Sequence, residues 1–489
     1  MNWKTVPLLS GAGPEAGRCP VHIPGPATAP PEDAPPGHHL RELRTSPLAL
    51  LRRSAEEGAH GLARLDTGPG ACLVLNDPTA IEAVLTDRDA TFFKPKMDLW
   101  KQVLGENVLT SEGADWARSR RRSVRITGAR YVRRAARIVA EAADESLRHW
   151  TGTDALDIHE EMRTLTLAAT LRHLCGTDER FDLHGFGDRL RTVMESIHTL
   201  ESAPPGSPPD AAVESRFSRA AGELRAAVVD LVARHPGGGD DLIGLLTASP
   251  VSGAAEPGGP ERAADPLTPE QVCDEVLAHL IAGHESTATS LAWALLLLSR
   301  APDVTRRVRA EIDTTVGNRP PSTADLAEMS LLQAVFLEAL RLYPPAWTIM
   351  RATGRACELL GVRIPAGAVL LASPYAVQRS GRWFRRPDTF LPDRWLEAGG
   401  SGESKYTYFP FGGGRRSCPG RQLAQVTAGV VLTRVLQGFC LEPVGELPEV
   451  AVDIILRPSA GTRLRAVPVQ PEPTGPSQPE SSGHRKESR

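Results

Sequence analysis

The chain has 489 residues, and its 56 Lys and Arg against 59 Asp and Glu leave a net charge of −3, which excludes a global polyanion-binding signal. No run of about 18 apolar residues is present to cross a bilayer, and the apolar core of Met1–Ser10 is too short for a secretory signal. The seven cysteines (Cys19, Cys72, Cys175, Cys273, Cys357, Cys418 and Cys440) are scattered and lack zinc-type spacing; that suits a reducing cytoplasm better than a disulfide framework.

Residues 1–40 are rich in Pro, Gly and Ala and read as an extended entry segment. Gly61–Leu65 and Ala71–Leu75 read as two short strands around a Gly-Pro-Gly turn. Asp77-Pro78 then opens a helix carrying Ile81, Val84 and Leu85. After Trp116 the chain is strongly basic, with Arg118, Arg120, Arg121, Arg122, Arg125, Arg130, Arg133 and Arg134. A solvated helix face accounts for most of these, and no recognition fold or aromatic interleaving supports nucleic-acid binding. From about 130 to 235 the pattern is helical, broken by the Pro-rich stretch Glu201–Asp210, which is either a lid loop or a surface connection. A Pro/Gly/Ala-rich linker covers 248–267.

Thr268-Pro269-Glu270-Gln271 is a capping box with proline at the first helical position. It starts a helix predicted to run to about Ser299, roughly 31 residues or about 46 Å. Mid-helix stands Ala282-Gly283-His284-Glu285-Ser286-Thr287, where glycine costs about 1 kcal/mol relative to alanine; tight helix packing at Gly283 with Glu285 in water is the bland account, and His284 reads as structural. Glu338 and Arg341 share a helix face among apolar neighbours, 80 residues ahead of Cys418. Gly361–Gly367 reads as a hairpin leading into the strand Ala368–Ala372, and the tail 470–489 reads as disordered by composition.

Phe411–Gly420 packs three glycines, two arginines and a cysteine ahead of a helix containing Leu423, Val426, Val430, Leu432, Val435 and Leu436 and stopped at Gly438. Pro419 suits a first helical turn. At such a helix mouth the dipole favours an anionic sulfur, and a thiolate is a soft ligand for iron. A buried cysteine acting as a small hydrophobe and a phosphate cradle are the competing readings.

Phe411, Gly414, Arg416, Cys418 and Gly420 match the signature Phe-x-x-Gly-x-Arg-x-Cys-x-Gly, in which the chain resembles the cytochrome P450 family of haem-thiolate monooxygenases, soluble bacterial type. Four motifs in order extend the resemblance over Asp77–Val467. It implies a single large triangular domain over 41–469, mainly α with small β-sheets, and haem b as cofactor with Cys418 as axial ligand to iron. Trp116 and Arg120 match the Trp-x-x-x-Arg pair at one haem propionate, without the proline and phenylalanine that usually follow; Arg351 resembles the arginine at the second propionate. Glu285 and Ser286 take the acid and alcohol places of the proton relay, with serine departing from the usual threonine and Thr287 a substitute. Glu338, Arg341 and Arg394, the last within Pro387–Phe390–Pro392–Arg394, correspond to the family's structural ion-pair set, and Gln378 replaces a more usual histidine without expected consequence.

By the same resemblance Ala278, Ile281, Ala282, Ala346, Trp347, Thr348 and Ile349 face the substrate pocket; they imply a lipophilic substrate such as a terpene, polyketide or fatty chain. Electrons would come from a separate ferredoxin or flavodoxin with its reductase, docking near Arg415, Arg416 and Arg118–Arg125. A peroxide-driven or oxygen-independent haem-thiolate enzyme and a non-enzymatic haem sensor remain the alternatives; neither needs the Glu285–Ser286 pair. The Ala/Arg/Pro/Gly-rich composition points to specialised metabolism in a high-GC bacterium.

Overall fold

The structure is a computed structural model that describes residues 37–57, 61–68, 70–176, 180–203, 208, 210–247, 267–397 and 404–469. The expectations for 1–36, for 248–266 and for the 470–489 tail lie outside the described residues. One helix organises the rest. Pro269–Ser299 spans 31 residues, and its capping box is formed in both directions, Gln271 N–H to Thr268 and Thr268 N–H to Gln271. The start of the helix therefore lies where the local capping signals put it. From Val272 to Leu298 every residue is buried except His279, Ala282, Gly283 and Ser286. Their i, i+3, i+4, i+7 spacing places them on one face, so a single stripe of an otherwise enclosed helix opens onto space.

The helices Ile158–Cys175, Ala211–Arg234, Ser330–Leu342 and Arg421–Gly438 pack around this axis. The main core gathers there, with Trp293 stacked on Tyr343 at 3.7 Å between ring centroids. A second core lies beneath Leu183–Ser202 and Ala211–Arg234, the two helices that flank the Pro-rich loop.

Leu62–Leu65 pairs antiparallel with Cys72–Leu75, which pairs in parallel with Val369–Ala372; Ile349–Thr353 and then Phe92–Phe93 complete a five-stranded sheet. The two early strands and the 368–372 strand fall where alternation placed them. The hairpin differs by a few residues: Cys357–Leu359 returns as Val362–Ile364 through Leu360 and Gly361, both at positive φ, so Gly361 sits in the turn. A three-stranded sheet of Leu156–Asp157, Arg463–Pro468 and Phe439–Pro443, with the pair Val450–Val452 and Leu456–Pro458, was not anticipated. At the start, the helix His38–Thr45 begins inside the segment expected to be extended, with His39 buried. No helix among the described residues is long and apolar enough to cross a membrane.

Candidate active site

The Cys418 loop is built by close backbone approach. Gly412 and Gly414 have φ of 70° and 61°, which favours residues without a Cβ; a Cβ on Gly414 would run into the Leu85 carbonyl, and one on Gly413 into Tyr406. Cys418 N–H donates to Phe411 O at 2.9 Å. The following helix starts at Arg421 with Gly420 as its cap, so Pro419 lies ahead of the first turn rather than within it. Cys418 is exposed, yet burial pushes its thiol pKa up, opposed by the Gly420 N–H and the charges of Arg120 and Arg421. The residue thus has open surface while its thiol is shielded from bulk water, as fits a side chain at the wall of an interior cleft.

Cations line that cleft. Trp116 is buried in the helix Gly113–Ile126, and the Arg416 and Arg415 guanidinium carbons lie 4.4 and 5.3 Å from its ring centroid. Arg416 donates to Ser111 O at 3.0 Å and pairs with Glu112. Burial lowers the pKa of Arg120, and the Cys418 sulfur opposes that shift. Arg351 is pushed down to about 10 by burial and then by Arg416; its Nη1 donates to the Met350 carbonyl at 2.9 Å. Lys94 is pushed down to about 7 by burial, then by Arg416 and Arg351, with Glu112 opposing, and its Nζ donates to Leu109 O at 2.7 Å. Lys94 retains some accessible surface, and its coupling to Arg416, Arg351 and Glu112 groups it with the cations of the cleft. Desolvated positive charge answered by one half-exposed acid calls for an anionic ligand. A porphyrin with two carboxylates and an iron open to a thiolate fits this donor set. Lys94 carries no signal of its own in the sequence, where local pattern does not distinguish it from any surface lysine.

The central helix brings Ser286 to the open stripe and sends Glu285 elsewhere. Ser286 Oγ donates to Ala282 O at 2.9 Å. Glu285 is buried; its Oε2 accepts from Arg163 Nε at 2.9 Å, and its Oε1 lies 3.7 Å from His159 Nε2. His284 is buried against the same network, and desolvation pushes its pKa down to about 3, a structural histidine as expected. Gly283 admits the Ile158–Cys175 helix: a Cβ there would meet Thr170 Cγ2 at 3.2 Å. Acid and alcohol are thus neighbours in sequence whose side chains serve different surroundings.

Of the expected pocket residues, Ala282, Ala346 and Ile349 have open surface, while Ala278, Ile281, Trp347 and Thr348 are buried. Trp347 belongs to the main core, its indole N–H held by Asp453 O at 3.1 Å; a carbonyl partner draws the ring inward, which corrects its assignment to the pocket. The arginine run is also less solvated than expected. Arg122 and Ser119 both bind the buried Glu275 carboxylate, and Arg134 donates to the His173 and Asp240 carbonyls. Arg118, Arg121, Arg125 and Arg415 remain exposed, whereas Arg416 is turned into the cleft.

Glu338 and Arg341 are fully buried and joined by two hydrogen bonds of 2.9 and 2.8 Å. Arg394, Trp395 and the Leu391 N–H also donate to the Glu338 carboxylate. Gln378, expected to be inconsequential, is fully buried. Its amide donates to the Leu340 and Arg341 carbonyls and accepts from Phe409 N–H at 3.0 Å, tying this helix end to the strand of chain that enters the Cys418 loop.

Comparison with known proteins agrees with this geometry. The family model described as Cytochrome P450 matches residues 255–464. Cyclooctatin synthase of Streptomyces melanosporofaciens is 31% identical over 425 residues, 85% of this chain and 90% of the relative. Cyclooctat-9-en-7-ol 5-monooxygenase of the same organism is 30% identical over 413 residues, 83% of this chain and 87% of the relative. Among solved structures, the cytochrome P450DA heme domain superposes with a TM-score of 0.78 at 26% identity, over 90% of this chain and 97% of that one. With a thiol in a cation-lined cleft, the fold and these relatives, the chain belongs to the cytochrome P450 family and is a haem-dependent monooxygenase.

Proposed function

We propose that Cys418 is the axial thiolate ligand and that the enzyme inserts one atom of dioxygen into a lipophilic, cyclic terpene-type molecule in bacterial specialised metabolism. The observation that carries the site assignment is Cys418, a residue with open surface whose thiol is desolvated and coupled to the Arg120 charge. The helix Gly113–Ile126 joins both walls of the cleft. Arg120 acts on the sulfur, while Ser119 and Arg122 hold Glu275 on the central helix, one turn before the open stripe. Lys94, Arg351, Arg416, Trp116 and Arg120 would hold the haem carboxylates and edge, with Phe411, Gly414 and Gly420 shaping the approach.

Bound haem supplies dioxygen binding and activation through its iron. This chain's part is to present the sulfur, to exclude water and to position protons. Desolvation raises the thiol pKa, and the Gly420 N–H and the Arg120 and Arg421 charges offset part of that rise. Ser286 holds its hydroxyl proton on the Ala282 carbonyl, leaving oxygen lone pairs free toward the open stripe.

Ala282, Ala346 and Ile349 offer an apolar surface without fixed charge, which supports a lipophilic substrate; a relative named for oxygenation of cyclooctat-9-en-7-ol supports the terpene-type assignment. We assign the electron supply to a separate ferredoxin or flavodoxin with its reductase, meeting the exposed Arg118, Arg121, Arg125 and Arg415, and place the protein in the cytoplasm, where its six described free cysteines stay reduced. The test is a spectral binding screen of cyclic terpene hydrocarbons and alcohols, followed by turnover under labelled dioxygen. One labelled oxygen in a product of a spectrally positive compound is expected. Binding confined to charged or hydrophilic compounds would overturn the substrate class.

A further inference from the structure

The turn after the helix Asp98–Leu104 is fastened to the central helix through one carboxylate. Asp274 is buried; its Oδ2 accepts Glu106 N–H at 2.9 Å, and its Oδ1 lies 2.8 Å from Arg225 Nη1. Arg225 comes from the helix Ala211–Arg234, and its Nη1 also donates to Val103 O at 3.1 Å. Gly105 permits this approach: its φ of 64° favours glycine, and a Cβ there would run into the Asp274 carboxylate. Asn107 adds a bond from its side-chain amide to Leu104 O at 2.9 Å, which fixes the turn itself. Three elements thus meet on one side chain.

The same strap borders the cleft. Lys94 binds Leu109 O, and Arg416 binds Ser111 O and Glu112, so the 109–112 end of the strap is held by cations of the site. Its middle hangs on Asp274. The next residue, Glu275, holds the helix Gly113–Ile126 through Ser119 and Arg122, and the open stripe of the central helix starts one turn later at His279. Opening at Asp274 therefore releases the Glu106 and Arg225 contacts while Glu275 keeps the helix Gly113–Ile126 in place.

We propose that Asp274 is a latch: its contacts with Arg225 and Glu106 hold the 98–112 strap and the Ala211–Arg234 helix together beside the cleft, and their release admits ligand. The proposal rests on the reading of the cleft as the haem site. An ion pair removed from bulk water on one side is screened less than a surface pair, and its loss should speed opening without altering what the ligand meets inside.

The test uses haem-loaded protein and 4-phenylimidazole, an iron-ligating probe, with stopped-flow absorbance for entry and exit. Asp274→Asn keeps an oxygen for Glu106 N–H and removes the charge; Arg225→Gln removes it from the other side. Entry and exit rates should each rise about tenfold in both variants, the factor that about 1.4 kcal/mol represents, with the dissociation constant nearly unchanged. Amide exchange over 104–111 should accelerate in parallel, and Arg137→Gln, which breaks only the exposed pair with Glu141, should leave rates and exchange at the wild-type level. If Asp274→Asn fails to load haem, Arg225→Gln decides, because Arg225 is partly exposed. Wild-type rates and exchange in a folded, haem-loaded Arg225→Gln would overturn the latch; a wild-type protein lacking the thiolate-type carbonyl spectrum would overturn the haem-site reading instead.

Discussion

Arg163 Nε donates to Glu285 Oε2 at 2.9 Å, joining the helix Ile158–Cys175 to the middle of the central helix across 122 residues of sequence. Both side chains are 8% exposed, and Arg163 is held further by Glu160 at 2.9 Å. A carboxylate so placed is first of all an anchor. Glu285→Ala leaves Arg163 buried without its main partner, and the loss of one member of such a pair costs about 3–5 kcal/mol. Denaturant unfolding of the haem-loaded variant should register that loss. A change below about 1 kcal/mol, typical of exposed pairs, would show that Glu285 is not clamped.

Ser286 is the hydroxyl on the open stripe, and proton delivery works only within hydrogen-bond reach, directly or through one water. Ser286→Ala should keep haem binding and substrate affinity while diverting reducing equivalents to hydrogen peroxide. Ser286→Thr should couple at least as well as the wild type, because the β-methyl narrows the rotamers. Product formed per reducing equivalent, with peroxide assayed alongside, measures both. Full coupling in Ser286→Ala would remove Ser286 from the relay and leave Thr287, the substrate or water.

Lys94 gives a pH signature. Its folded pKa of about 7 lies below the unfolded value of 10.5, so between these values the unfolded chain binds more protons and stability rises with pH. The penalty is fully present below pH 7 and vanishes above the unfolded pKa. Urea unfolding of the haem-free protein from pH 7 to pH 9 should show this rise, and Lys94→Met should flatten it. Haem loading should flatten it too, since carboxylates near the ammonium favour its charged form. Equal slopes in wild type and Lys94→Met would place Lys94 in water.

Glu338 accepts from Arg341, Arg394, Trp395 and the Leu391 N–H. Glu338→Ala should therefore yield little haem-loaded protein, with about 3–5 kcal/mol lost from a typical total of 5–15 kcal/mol. Gln378→Leu strands the Phe409 N–H and two carbonyls, each unsatisfied group costing about 1–3 kcal/mol, and should loosen the Cys418 loop without touching the ion pairs. Pigment ratio and thermal unfolding check both. Normal haem content in Gln378→Leu would show that the loop is held without it.

Legibility followed the range of the interactions. The central helix declared its start because Thr268, Pro269 and Gln271 act within one turn, and Glu338–Arg341 was visible because i,i+3 spacing puts both on one face. The Cys418 loop was legible because its glycines and cysteine are contiguous. Arg163, Lys94 and Gln378 were not, since each is defined by a partner brought close only by folding: Glu285, Arg416 and Phe409. Trp347 misled because an aromatic beside an expected pocket has no local mark of the Asp453 carbonyl that draws it into the core. The strands between Phe439 and Pro468 are short and largely half-exposed or exposed, and the one that alternates, Arg463–Pro468, is too short to stand out from loops.

The central claim is that the Cys418 sulfur holds the haem iron. The reduced, carbonyl-bound spectrum tests it most directly, in wild type and in Cys418→Ala side by side. The wild type should show the red-shifted Soret band of thiolate ligation, and Cys418→Ala should lose that band even where haem is retained. The same thiolate band in Cys418→Ala would contradict the assignment, because another residue would then have to be the ligand.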